Sequence, residues 1–129
     1  MSDKTTILRA FNTHFFEFVD DIILIFPENE DIISSKITFD LLKCANPTAI
    51  IKAWYKYIYS PYKEVIDEGD IRFFFNKDYK DDLSMLSNAN KIMQIINVLR
   101  EPIKTMGEQN QATSIQYIQN LSKLSLLYK

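Results

Sequence analysis

Apolar residues return at steps of three and four from the start of the chain. Leu8, Phe11, Phe15, Phe18, Val19, Ile22 and Phe26 form one stripe between residues 4 and 26. That spacing belongs to an amphipathic helix with one face turned to a core. Pro27 ends the stripe, because the residue before a proline avoids the helical region. The acids from Glu28 to Asp31 then suit the positive end of a new helix dipole. A second helix is expected over about 29–44, with Ile32, Ile33, Ile37, Leu41 and Leu42 inward.

Two short signals organise the middle of the chain. In "ANP", residues 45–47, Asn46 suits an N-cap and Pro47 the first helical position, where a missing N–H has no partner to lose. A third helix is expected over about 47–59. "SP" at 60 and 61 repeats the device and starts a short helix to Glu68, stopped by Gly69. "DIRFFFNKDY", residues 70–79, has strand-like propensity but no second strand to pair with. It reads as an extended buried connection or one helical turn.

The last third of the sequence carries two longer periodic stretches. Met85, Ala89, Ile92, Ile96, Leu99, Ile103 and Met106 alternate steps of four and three, which predicts a fifth helix over about 82–106 with a heptad-like seam. Pro102 bends or loosens its last turn and Gly107 stops it. A sixth helix over about 109–127 has a shorter seam of Tyr117, Leu121, Leu124 and Tyr128, with Ile115, Ile118, Leu126 and Leu127 off it. The expected fold is all-α: one domain over residues 1–129, a bundle of five to six helices with a C-terminal antiparallel helical hairpin.

Composition narrows the chemistry. The chain has 129 residues, 47% hydrophobic and 25% charged, which is ordinary for one globular domain. Only Gly69 and Gly107 are glycines, so no glycine-rich phosphate cradle can form. Cys44 is the single cysteine, which excludes an intrachain disulfide and fits a reducing compartment. The longest apolar run, "IILIF" at 22–26, is far too short to span a bilayer, and no signal peptide opens the chain. A soluble intracellular protein is expected. Residues 1–31 carry seven acids against Lys4 and Arg9, a local −5, whereas residues 83–129 carry five bases against Glu101 and Glu108, a local +3. Such asymmetry orients self-association or steers a partner, or simply marks solvated helix faces.

The densest chemical signal is "KAWYKYIYSPYK", residues 52–63, with five aromatic residues and three lysines. On a regular helix Ile50, Trp54, Tyr57 and Ile58 share one face, and Lys52, Lys56, Tyr59 and Lys63 share another. The second face could hold phosphates with its lysines and stack a base on its tyrosine. Four acids, Glu64, Asp67, Glu68 and Asp70, follow at once and would repel a nucleic-acid backbone. The stretch therefore reads as a half-buried helix serving packing or a protein partner, with nucleic-acid contact as the alternative.

Other candidate sites are thinner. His14, Glu17 and Asp21 share a helix face, but bundle metal sites draw ligands from several helices, so no metal or cofactor is expected. Asp78, Asp81 and Asp82 lack the glycine and closing glutamate of a calcium loop; Asp81 or Asp82 is expected to cap the fifth helix. Cys44 has only His14 as a possible imidazole partner, and no serine lies in a nucleophile-elbow pattern. No catalytic set is expected.

The block "ANPTAIIKAWYKYIYSPYKEVIDEGDIRFFFNKDY", with "FNTHFFEFVDDI" before it and "YIQNLSKLSLLY" after it, resembles an uncharacterised family of small helical proteins encoded by nucleocytoplasmic large DNA viruses. The resemblance implies a virus-encoded protein of the host cytoplasm or the particle, and carries no functional residues with it. The expected function is a non-enzymatic protein–protein interaction or assembly module, by self-association or with a protein partner. Tyr117, Leu121, Leu124, Leu127 and Tyr128 are its candidate interface. The alternative is a nucleic-acid-binding accessory factor acting through Lys52, Lys56, Tyr59 and Lys63. No membrane association is expected.

Overall fold

The computed structural model describes residues 3–70 and 102–129. Among them every regular element is helical, and the protein is all-α. The chain forms α1 (Lys4–Ile25), α2 (Glu30–Ala45), α3 (Ala49–Ala53), a π-helical turn (Trp54–Tyr59), a 3₁₀ turn (Ser60–Tyr62), α4 (Lys63–Glu68) and α5 (Glu108–Tyr128). Beyond Asp70, the connection expected at 70–79 lies outside the described residues, as does most of the helix expected at 82–106, with the capping role of Asp81 or Asp82 and the first arm of the hairpin. Of that seam, Ile103 and Met106 are described and both are buried. The sixth expected helix is α5.

α1 follows its periodicity closely. Asp3 caps it by accepting from the backbone N–H of Thr5 at 3.0 Å, which satisfies one of the donors a helix start leaves unpaired. Its buried face is Ile7, Phe11, Asn12, Phe15, Phe18, Val19 and Ile22. Asn29 caps α2, accepting from the N–H groups of Asp31 and Ile32.

α1 is the central strut. α2 runs antiparallel to it, with Phe39 against Phe15, Lys36 bridging Asp20 and Lys43 lying over the Phe16 ring. α5 also runs antiparallel to α1, placing Lys4 over the Tyr128 ring at one end and Phe18 on Tyr117 at the other. The core is aromatic where these elements meet. Trp54 meets Phe11 and Phe15 edge-on, with ring centroids 6.0 and 6.4 Å apart, an arrangement that sets ring edges against ring faces.

Three expectations change. In α2 the inward residues are Ile32, Ser35 and Phe39, while Ile33, Ile37 and Leu41 are exposed. The helix has apolar residues on more than one face, and Phe39 takes the core position because it fills the gap beside Phe15. Asn46 does not cap α3. It ends α2 and accepts from the N–H and hydroxyl of Thr48, a side-chain turn that postpones the helix start to Ala49. The third helix is not a regular α-helix to residue 59. It widens at Trp54, with the N–H of Ser60 reaching Tyr55 O five residues back. Pro61 supplies the reason. It has no N–H for the α-type bond to Tyr57, and its ring crowds that carbonyl, so the preceding turn opens to the i→i+5 pattern.

Gly69 stops α4 as expected, at φ 76°. Its N–H returns to Ile66 O and that of Asp70 to Val65 O, the paired bonds of a Schellman ending.

Candidate functional site

The π turn decides the fate of the lysine and tyrosine strip. In an α-helix residues five apart diverge, whereas in an i→i+5 turn they stack. Tyr59 therefore joins Trp54 on the buried side and is only 3% exposed. Its hydroxyl donates to the Asp67 carboxylate at 3.0 Å. Burial first, and then the hydrogen bond to Asp67, raise its pKa above the usual tyrosine value. A ring so placed cannot stack on a base. Lys52, Lys56 and Lys63 are exposed; Lys56 lies over Tyr57 and Lys63 sits 3.7 Å from Asp67. The structure thus leaves three surface lysines where the regular helix predicts a strip with a ring in its middle.

The α5 residues also divide. Leu121 is fully buried and Ile118 nearly so. Tyr117, Leu124 and Tyr128 are half-buried against the core. Of the five candidate interface residues only Leu127 is well exposed, at 61%, with Leu126 beside it. What the sequence does not signal is the polar lining of this helix. Ser114, Ser122 and Ser125 are buried, each donating to a carbonyl of its own helix. Ser122 Oγ also accepts the indole N–H of Trp54 at 3.0 Å. Small side chains let α5 sit close, and their backbone bonds satisfy hydroxyls that would otherwise be buried without partners. Gln119 crosses to α4 and donates to Ile66 O at 3.0 Å, helping to close that helix end.

His14, Glu17 and Asp21 do not converge on a common centre. The Tyr117 hydroxyl donates to Asp21 Oδ2 at 2.5 Å, and the same ring stacks on Phe18 and packs against His14, 4.7 Å between centroids in each case. The hydrogen bond to Asp21 is the main reason the Tyr117 pKa is pushed up to about 12. His14 Nδ1 lies 3.8 Å from Glu17, and its buried Nε2 has no hydrogen-bond partner among the described residues. Among the described residues no group of three or more His, Cys, Asp or Glu side chains could hold a metal ion.

Two surface features remain. An open groove of about 700 Å³ runs between α1 and the end of α2, bordered by Leu8, Arg9, Asn12, Phe16, Lys43 and Cys44. Cys44 is exposed, not buried as an inert core cysteine would be. Asn12 donates to Pro47 O at 3.1 Å, while its buried Oδ1 has no partner among the described residues.

The second feature is an apolar face on α2. Ile33, Ile37 and Leu41 follow one another at four-residue steps and are exposed, Ile37 at 59% and Leu41 at 67%. Leu24, 77% exposed, lies one turn beyond Asp20 on α1, while Ile33 lies one turn before Lys36 on α2. Since Asp20 and Lys36 bridge the two helices, Leu24 continues the patch across the α1–α2 seam. Glu30 and Asp40 share the same α2 face at helical spacing.

No family model, no curated protein and no solved structure matches the chain. No helix among the described residues is long and apolar enough to cross a membrane.

Proposed function

We propose that the protein is a non-enzymatic interaction or assembly module, virus-encoded and working in the host cytoplasm or the virus particle. The observation that carries this reading is the exposed apolar run Leu24, Ile33, Ile37 and Leu41. Single exposed leucines are common on soluble proteins, but a contiguous apolar patch with a polar border marks an interaction surface. The surrounding structure adds to the reading. The exposed run lies on α1 and α2, helices fixed by the Asp20–Lys36 bridge and the Phe15–Phe39 contact, so the surface is pre-organised and loses little freedom on binding. The viral setting rests on the resemblance of the blocks quoted above.

The test is a tagged pull-down from native host lysate, with and without nuclease, using wild type beside Ile37→Ser/Leu41→Ser. A protein retained through nuclease and lost from the variant supports the module. Retention that disappears with nuclease, and that Lys52→Gln/Lys56→Gln/Lys63→Gln also removes, would replace it with the nucleic-acid reading.

A further inference from the structure

The α2 face has a definite charge. Glu30 and Asp40 flank Ile33, Ile37 and Leu41, and neither acid has an ion-pair partner among the described residues. The cations on this helix are already engaged, Lys36 with Asp20 and Lys43 over Phe16. An occupant of this face should therefore be apolar with a cationic border. Two α2 faces placed together would bring Glu30 and Asp40 of both copies into one interface, where like charges without partners are costly.

A surface of the required kind exists on the same molecule. At the C-terminal end of α5, Leu126 and Leu127 are exposed. Lys123 lies between them around the helix, three residues from one and four from the other, and is also exposed, with no ion-pair partner among the described residues. The only acid in α5 is Glu108, at the opposite end. Both α2 and α5 run antiparallel to α1, so their C-terminal ends lie at the same end of the molecule. That placement lets two copies use the contact twice about a two-fold axis, which closes the assembly as a dimer.

We propose that the apolar face of α2 is covered by a second copy of this chain, with Leu126 and Leu127 of α5 packing on Ile33, Ile37 and Leu41, and Lys123 meeting Asp40. The proposal rests on the interaction-module reading and names its partner. The charge pair sets the register, and the leucines and isoleucines supply the apolar burial.

Sedimentation velocity of the full chain over a concentration series tests it. The expected result is a monomer–dimer equilibrium that Asp40→Lys and Lys123→Glu each weaken by about tenfold or more, and that the double exchange largely restores. Leu127→Ser should weaken it as well. These positions are exposed, and an unchanged circular dichroism spectrum confirms that each variant folds. A protein monomeric at all concentrations overturns the proposal, as does a dimer indifferent to Leu127→Ser and to both charge reversals. If the protein is monomeric but still retains a nuclease-resistant partner that Ile37→Ser/Leu41→Ser releases, the interaction module stands and its occupant is another protein.

Discussion

The indole N–H of Trp54 donates to the hydroxyl of Ser122 at 3.0 Å, and both side chains are sealed from solvent. The bond ties the π turn to α5 across 68 positions of sequence. Ser122 is itself satisfied, since its hydroxyl donates to Ile118 O. The pair is therefore asymmetric. Ser122→Ala strands a buried donor and should cost about 1–3 kcal/mol. In a Trp54→Phe background, where no indole N–H is left to strand, the same substitution should cost less. Urea unfolding of the four proteins in the cycle measures the difference, expected at about 1 kcal/mol. Equal costs in both backgrounds would mean that the bond contributes nothing to stability.

Leu121 and Leu127 sit six residues apart on α5 with opposite surroundings. Leu121 is at zero exposure and Leu127 at 61%. Leu121→Ala should lower stability by about 2–5 kcal/mol through lost burial and a cavity. Leu127→Ala at monomer concentrations should change it by about 0.5 kcal/mol or less. Thermal unfolding at low protein concentration separates the two.

Tyr117 provides a pH signature. Its pKa is raised from 10.0 to about 12, chiefly by donating to Asp21 and secondly by burial. A raised folded-state value means that the neutral phenol is the form the fold favours. The stabilisation is then fully present below pH 10 and is lost as pH rises towards 12. Ultraviolet titration should show Tyr59 and Tyr117 both ionising above the ordinary tyrosine range, and Tyr117→Phe should remove one of these late steps while leaving that of Tyr59. The same variant should flatten the fall in stability across this window while keeping the stack on Phe18.

Gly69 occupies the left-handed region at φ 76°, and a Cβ there would meet Gln119 Nε2 and Ile115 Cγ2 at 3.5 and 3.6 Å. Those distances are ordinary contacts, so the backbone decides the outcome. Gly69→Ala should destabilise by about 1–2 kcal/mol, and Gly69→Asn by less, because asparagine tolerates this conformation. Chemical denaturation of both variants checks the order.

How much of this was visible in the sequence depended on how many faces each segment offered. α1 has a single stripe, and Phe11, Phe15, Phe18 and Ile22 fell inward as their spacing requires. α2 carries apolar residues around more than one face, so periodicity alone could not choose between Phe39 and Ile37. The choice is made by Phe15 on another helix. Asn46 was recognisable as a turn-forming residue, but whether it closes one helix or opens the next depends on where Thr48 lies. A regular helix puts Tyr59 on the lysine face, but Pro61 widens the segment and turns the ring inward. The Trp54–Ser122 and Tyr117–Asp21 bonds join distant positions, and no local pattern announces such partners. The α2 face is hidden in the sequence for the same reason that it is informative: isoleucine and leucine at helical spacing read as core, and only the fold places them outside.

The wide turn at Trp54–Tyr59 has a bearing on kinship. An i→i+5 turn holds one residue more than an α-helical turn, so this segment behaves as a helix that has absorbed a single extra position. A related chain without that position, and without the proline at 61, would keep its counterpart of Trp54 in the core yet reach Ser60 one residue sooner. The two chains would then differ by one residue in the middle of a helix, with the flanking core positions on each side unchanged in register.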